Sequence, residues 1–330
     1  MTINNNKIKY LKYYLVNIVT ILFLFSCNLS NKKQKATYQT KFVSGSTNNK
    51  IEILDFGGTG QPILFLTGLG NSALVFVDFA PKFCDKFHVY AMSRRGYGAS
   101  EQTANGYRID TLANDILAVT KTLNLDKVIL IGHSIAGDEI SKFASTYQDK
   151  VDKVVYLDAA YDRTILMATL MPYMPAFPNL TAKDSSSFEN FKAFTAKMGV
   201  TMPDEELKST SVFSKDGKYL KSVTPNEIQG KIITGIEQPN YKSINCPALA
   251  IYAIPSSVYT TIPFYDLLDA ANKKKADTGF TIFKKFGTEQ IALFKKEVKK
   301  GIAKEIKGAE HCVFISNPVE TENLIREFLK

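Results

Sequence analysis

Apolar and polar positions alternate along the chain in two rhythms. Short, mostly apolar runs at Pro62 to Leu66, Phe87 to Met92, Lys127 to Ile131, Lys153 to Leu157 and Ala248 to Ala253 have the length of strands buried on both faces. Between Ile109 and Leu123 the apolar residues fall instead at Leu112, Ile116, Val119 and Leu123, a helical spacing with Asp110-Thr111 near its start. A second helical pattern (Asp138, Glu139, Ile140, Phe143, Ala144) starts just behind the Lys127–Ile131 run, and Ala73 to Phe79 also reads as helical. Upstream, Lys41 to Ser44 and Lys50 to Phe56 alternate as antiparallel strands, with Gly57-Gly58 and Gly60 as turns. Near the end, the strand-like stretch Lys304 to Lys307 precedes a helix that starts near Pro318 and carries Val319, Leu324, Ile325, Phe328 and Leu329. Strands alternating with helices predict an α/β fold, a mainly parallel sheet with helices on both faces. Active sites in such sheets lie at the carboxyl ends of the strands.

Between Asp162 and Asn245 this rhythm stops. Thr164 to Met171 is a helical piece with Met167, Met171 and Met174 at i, i+4 and i+7, and Pro172, Pro175 and Pro178 then break it. Phe188, Phe191, Phe194 and Met198 form a second apolar stripe, polar loops are expected over Ser209 to Lys218, and Ile228 to Ile236 reads as a further helix. Stripes of Met and aromatic residues more often build core than line a pocket.

The amino terminus has a different character. Lys7, Lys9 and Lys12 precede an apolar run from Tyr13 to Phe25, followed by Ser26 and Cys27. A basic head, a short apolar middle and a small residue before the cut make a secretory signal over residues 1–27. The run is too short and too interrupted for a membrane span of about 20 apolar residues. Leu24-Phe25-Ser26-Cys27 resembles the bacterial lipoprotein box, which implies lipidation of Cys27, with residues 28–37 as a tether. The expectation is export to the bacterial periplasm or cell surface, with membrane attachment if Cys27 is modified. Plain secretion and a retained anchor stay open.

Charge and cysteine content add less. The formal net charge is +9, and its excess lies late, in Lys273-Lys274-Lys275, Lys284-Lys285, Lys295-Lys296 and Lys299-Lys300. Ile291, Phe294 and Val298 interleave with the last pairs at helical spacing, so these lysines line the outer face of an amphipathic helix; no nucleic-acid partner is expected. Cys84, Cys246 and Cys312 sit in or beside apolar segments without metal spacing and read as core, though one disulfide stays open in an oxidising compartment.

Chemistry concentrates in Val128-Ile129-Leu130-Ile131-Gly132-His133-Ser134-Ile135-Ala136-Gly137. A buried strand that runs into a serine and then straight into a helix strains the serine backbone and lifts its hydroxyl clear of the sheet. Small residues two before and two after the serine let strand and helix approach; Gly132 and Ala136 fill those places. A hydroxyl needs a base near neutrality to attack an ester. Of three histidines, His88 starts a distant strand and His133 leaves the turn in another direction, which makes packing roles of both.

Taken in order, Thr67-Gly68-Leu69-Gly70, Arg94-Arg95-Gly96-Tyr97-Gly98-Ala99-Ser100, Gly132-His133-Ser134-Ile135-Ala136-Gly137 and Gly308-Ala309-Glu310-His311 resemble the α/β-hydrolase superfamily, serine esterase type with a cap insertion, from about Lys50 to Leu329. The resemblance implies the α/β-hydrolase fold, with core segments 38–162 and 245–330 and a helical cap over 163–244 inserted before the penultimate strand. It implies Ser134 as nucleophile and His311, on a loop before the last helix, as base. It implies Asp158 as the acid, after the strand that follows the elbow helix, because the stretch after Ala253 (Ile254-Pro255-Ser256-Ser257) holds no carboxylate; Asp162 and Asp266 stay as alternatives. The backbone N–H groups of Leu69 and Ile135 are the implied oxyanion donors. Met167, Met171, Met174 and Phe177 are the substrate-binding candidates in the cap. No cofactor or metal is implied. The expected reaction is cleavage of an apolar carboxylic ester or lactone through an acyl-enzyme; capped members with a similar elbow open macrolide lactones. Amide cleavage and acyl transfer would use the same parts. A non-catalytic binder of hydrophobic ligands and a purely structural surface lipoprotein are the competing classes.

Overall fold

The computed structural model describes residues 37–330; the expected signal at residues 1–27, with Cys27, lies outside the described residues. Eight strands form one sheet: β1 (Gln39–Ser44), β2 (Lys50–Gly57), β3 (Pro62–Leu66), β4 (His88–Met92), β5 (Val128–His133), β6 (Val151–Leu157), β7 (Ala248–Ile254) and β8 (Gly301–Lys307). Their order across the sheet is β1-β2-β4-β3-β5-β6-β7-β8. The β1–β2 and β2–β4 pairs are antiparallel, and every pair from β4 to β8 is parallel.

Register brings the strand ends to one rim. Leu66 pairs with Gly132, His133 with Leu157, Leu157 with Ile251, and Ile254 with Lys307. The segments that leave β3, β5, β6 and β8 therefore emerge side by side, although they are far apart in sequence.

The side-chain alternation of a strand divides the core into two layers. Leu64, Leu66, Leu130, Val154 and Tyr156 face one side. There they meet Ile116 and Val119 of α1 (Ile109–Thr122) and Ile140 and Phe143 of α2 (Ala136–Thr146). Phe65 points the other way, into a cluster of rings at 5.0 Å from Phe76, 6.2 Å from Phe79 and 5.9 Å from Phe83. This cluster explains one departure from expectation. Ala73 to Phe79 is not an α-helix: a short 3-10 turn spans Ala73–Phe76, and a second follows at Ala80–Phe83. Ser72 Oγ accepts from the Leu74 amide at the first turn, and Pro81 opens the second; the rings are anchored to Phe65 rather than to a helical face.

The segment between β6 and β7 carries α3 (Arg163–Leu170), α4 (Phe188–Lys197), α5 (Asp204–Thr210) and α6 (Asn226–Thr234). Part of the stretch expected as polar loop forms a small hairpin, Ser211–Phe213 with Tyr219–Ser222. Phe191 stacks on Tyr219 at 4.1 Å and meets Phe213 at 5.7 Å, so the second aromatic stripe buries against this hairpin. After β7 comes α7 (Ala270–Glu297), 28 residues long, capped by Asp269, and α8 (Pro318–Leu329) closes the chain. Phe286, Ile291 and Phe294 of α7 enter the core while Lys284, Lys285, Lys295 and Lys296 stay exposed, as the interleaved spacing requires. Cys84, Cys246 and Cys312 are half-buried free thiols.

Candidate active site

Strand β5 ends at His133, and Ser134 follows with φ +54°, a left-handed conformation that a residue with a side chain adopts only under constraint. The constraint is visible around it. Ser134 donates its amide to Leu157 O at 3.2 Å and accepts from the Gly137 amide at 2.9 Å, which closes the turn. A Cβ on Gly132 would lie 2.4 Å from the Ile140 side chain, and one on Gly137 would lie 2.0 Å from Ala159 O. Gly137 is thus the close-approach glycine of the elbow, and Ala136 fits because Gly132 opposite it has no side chain.

Three distant side chains converge at the rim. His311 Nδ1 lies 2.6 Å from Asp158 Oδ2, and His311 Nε2 lies 2.9 Å from Ser134 Oγ. A carboxylate facing Nδ1 sets the proton on Nδ1, which leaves Nε2 to accept from the serine hydroxyl. Asp158 is buried, has φ +47° and accepts at Oδ1 from Tyr161 OH at 2.6 Å and from the Ala253 amide at 3.0 Å. Burial and the Asp158 charge push the Tyr161 phenol well above its ordinary range, so Tyr161 stays a donor. Asp162 and Asp266 are elsewhere. Asp162 caps α3, accepting from the amide and hydroxyl of Thr164 at 3.1 and 2.5 Å, and Asp266 accepts from Tyr259 at 3.0 Å.

The other histidines do not join the triplet. His88 pairs with Asp55 at 2.8 Å and stacks on Tyr90. His133 is buried and lies 3.2 Å from His311 O; burial first, then His311, hold its pKa well below the ordinary value. It is neutral, donates from Nε2 to that carbonyl, and so anchors the backbone of His311.

Leu69 and Ile135 share one apolar cluster with Tyr97 and with Ile228 and Ile232 of α6, and neither amide has an acceptor among the described residues. The loop holding Leu69 is fixed from below by Arg94, which sequence reasoning passed over. Arg94 donates to Thr67 O at 2.6 Å, to Gly68 O at 3.3 Å and to the buried carboxylate of Glu139 on α2. It is fixed from above by Glu206 of α5, which accepts from the Ser72 amide at 2.9 Å, from the Ser72 hydroxyl and from Asn71 at 3.1 Å. Neither carries a local signal, since Arg94 stands beside Arg95 and Glu206 ends the acidic run Asp204-Glu205-Glu206.

A cavity of about 460 Å³ opens on Ser134 and His311. Met171 and Met174 line it, as expected of the insertion, whereas Phe177 packs on Phe264 at 5.0 Å and is not part of the wall; the side chain of Met167 lies outside the described residues. Part of the roof comes from an unexpected source, Gly279, Phe280 and Phe283 of α7. Among the described residues no group of side chains could hold a metal ion.

A nucleophile-type elbow, a histidine and a carboxylate at the rim of this eight-stranded sheet define a member of the α/β-hydrolase superfamily. A model of the alpha/beta hydrolase fold family matches residues 61–200, and the chain belongs to that superfamily. It is 25% identical over 203 residues to 2-(acetamidomethylene)succinate hydrolase of Mesorhizobium japonicum, covering 59% of this chain and 70% of that protein. It is 36% identical over 126 residues to a non-heme chloroperoxidase of Streptomyces lividans, a match that spans 36% of this chain and 44% of that one. The crystal structure of E-2-(acetamidomethylene)succinate hydrolase superposes with a TM-score of 0.66 at 19% identity, covering 89% of this chain and 99% of the other, a likeness of fold. A hydrolase is the broad class these relatives support.

Proposed function

We propose that the protein is a serine hydrolase that cleaves a carboxylic ester or lactone through an acyl-enzyme. The observation that carries this reading is the unbroken chain from Asp158 Oδ2 through His311 to Ser134 Oγ, at 2.6 and 2.9 Å, with the strained serine facing the cavity. Ser134 Oγ attacks the carbonyl carbon while His311 Nε2 takes its proton. Asp158 holds the imidazole in the required tautomer and stabilises the imidazolium. The amides of Leu69 and Ile135 receive the oxyanion; one such donor typically contributes ~10²–10³ in rate. His311 then returns the proton to the leaving alkoxide, and water repeats the sequence on the acyl-enzyme. The His311 side chain is 54% exposed, so water reaches the base needed for that second half. The largely apolar wall of the cavity suits an apolar substrate, and lactones as large as macrolides remain in the proposal. Export through residues 1–27, with lipidation at Cys27, belongs to it as well.

The test is covalent labelling by a fluorophosphonate together with turnover of esters and lactones of graded size. Wild type should label and turn over at least one class, and Ser134→Ala should do neither. Labelling that survives Ser134→Ala, or no turnover alongside tight binding of apolar ligands, would replace the reading with that of a binding protein.

A further inference from the structure

Asp158, His311 and Arg163 all line the cavity. The proposed chemistry uses the first two and leaves the arginine without a task. Arg163 opens α3 at the cavity wall and is 7% exposed. Its Nη1 donates to Asp138 Oδ2 at 2.8 Å and to Ala159 O at 3.1 Å. The guanidinium carries five N–H groups, and those on Nε and Nη2 have no acceptor among the described residues. Neither nitrogen is sealed in protein. Arg163 lines the cavity shared with Ser134, so a water, an ion or a ligand there can meet these donors.

Asp138 Oδ2 pairs with Nη1 at 2.8 Å and leaves the other edge of the guanidinium open. Asp138 is fully buried, its Oδ1 has no partner, and burial pushes its pKa up to about 6 despite Arg163. The guanidinium thus keeps its Nε–Nη2 edge for a second anion. Around it the walls are apolar, with Leu166, Leu170, Met171 and Phe283 sharing the space, so an anion there would pair in a setting of low dielectric.

We propose that Arg163 is a specificity-determining residue that pairs, through Nε and Nη2, with a carboxylate carried by the substrate apart from the ester that Ser134 attacks. The substrate class is then an ester or lactone with an apolar spacer and a free acid group. This deepens, and rests on, the reading of Ser134 as nucleophile. Nε and Nη2 present two parallel N–H groups along one edge of the guanidinium, the arrangement that takes a carboxylate in a bidentate grip.

Calorimetric binding to the full chain carrying Ser134→Ala, which cannot turn the ligands over, tests the pairing. Monomethyl adipate and dimethyl adipate have the same spacer and differ in one negative charge. The half-ester should bind at least about tenfold more tightly. Arg163→Lys keeps a cation opposite Asp138 but loses the fork, and the preference should fall several-fold. Arg163→Gln with Asp138→Asn removes both charges together, leaves no lone buried ion, and should abolish it. Equal or tighter binding of the diester to the arginine form overturns the proposal, as does a preference that survives Arg163→Lys undiminished. Fluorophosphonate labelling of the wild type separates the two readings. Labelling without a carboxylate preference sinks this inference alone, and a preference dependent on Arg163 without labelling sinks the hydrolase reading alone.

Discussion

At the scale of single residues, Asp158 carries the most consequence for the least surface. It meets His311 with one oxygen and is held by Tyr161 and the Ala253 amide with the other. Asp158→Asn would offer His311 an amide in place of a carboxylate and favour the wrong tautomer; kcat on a short ester should fall by roughly 10³–10⁴ with little change in fold. Tyr161→Phe is gentler. Removing one donor from a charged acceptor should lower kcat roughly tenfold. A role for Tyr161 in packing alone would shift Tm and leave kcat near the wild-type value. Gly137→Ala tests the elbow itself. The added carbon would meet Ala159 O at 2.0 Å, and with backbone on both sides nothing yields. The expected cost is at least about 1–3 kcal/mol, read as a lowered urea midpoint.

Among elements, the loop after β3 is the part most tied to others. Arg94 joins it to α2 through Glu139, and both partners are buried. Arg94→Gln would strand Glu139, whose pKa burial already raises, and should cost about 3–5 kcal/mol. Arg94→Met with Glu139→Leu should recover most of that stability while kcat stays low, because Thr67 O and Gly68 O lose their donor. Recovery of kcat along with stability would show that the loop keeps its shape unaided. These links also mark what the sequence could convey. Ser134, Asp158 and His311 each follow a strand of distinct pattern, so a local reading found all three. Arg94, Glu139, Glu206 and Arg163 are buried charges whose partners lie far along the chain, and no spacing announces such a pair. The roof was half legible for a similar reason. The apolar positions Ile291, Phe294 and Val298 revealed the face turned to the core, but Phe280 and Phe283 extend α7 over the cavity along a different line.

For the whole molecule, the insertion is fastened to the sheet through groups that titrate. Glu206 is buried, and burial pushes its pKa from 4.5 up to about 7, against the hydrogen bonds from Ser72 and Asn71 and with some help from Glu52. The folded chain therefore binds a proton between these values that the unfolded chain has lost. Stability from this group is full below pH 4.5 and is lost as pH rises through about 7, a change on the order of 3 kcal/mol. Asp138, pushed up to about 6, acts in the same direction. Thermal melts should show Tm falling from pH 5 to 8, and Glu206→Gln should flatten that fall; an unchanged slope would mean that Glu206 is wetter than its surroundings suggest. The site of the acid has one more effect. Under the proposed mechanism, with Asp158 behind β6, the turn after β7 at Pro255 to Thr261 borders the cavity without handling a proton. Random libraries confined to that turn should yield a far higher share of active clones than libraries at the β6 turn, which makes it the natural place to begin retuning the enzyme toward new acids or alcohols.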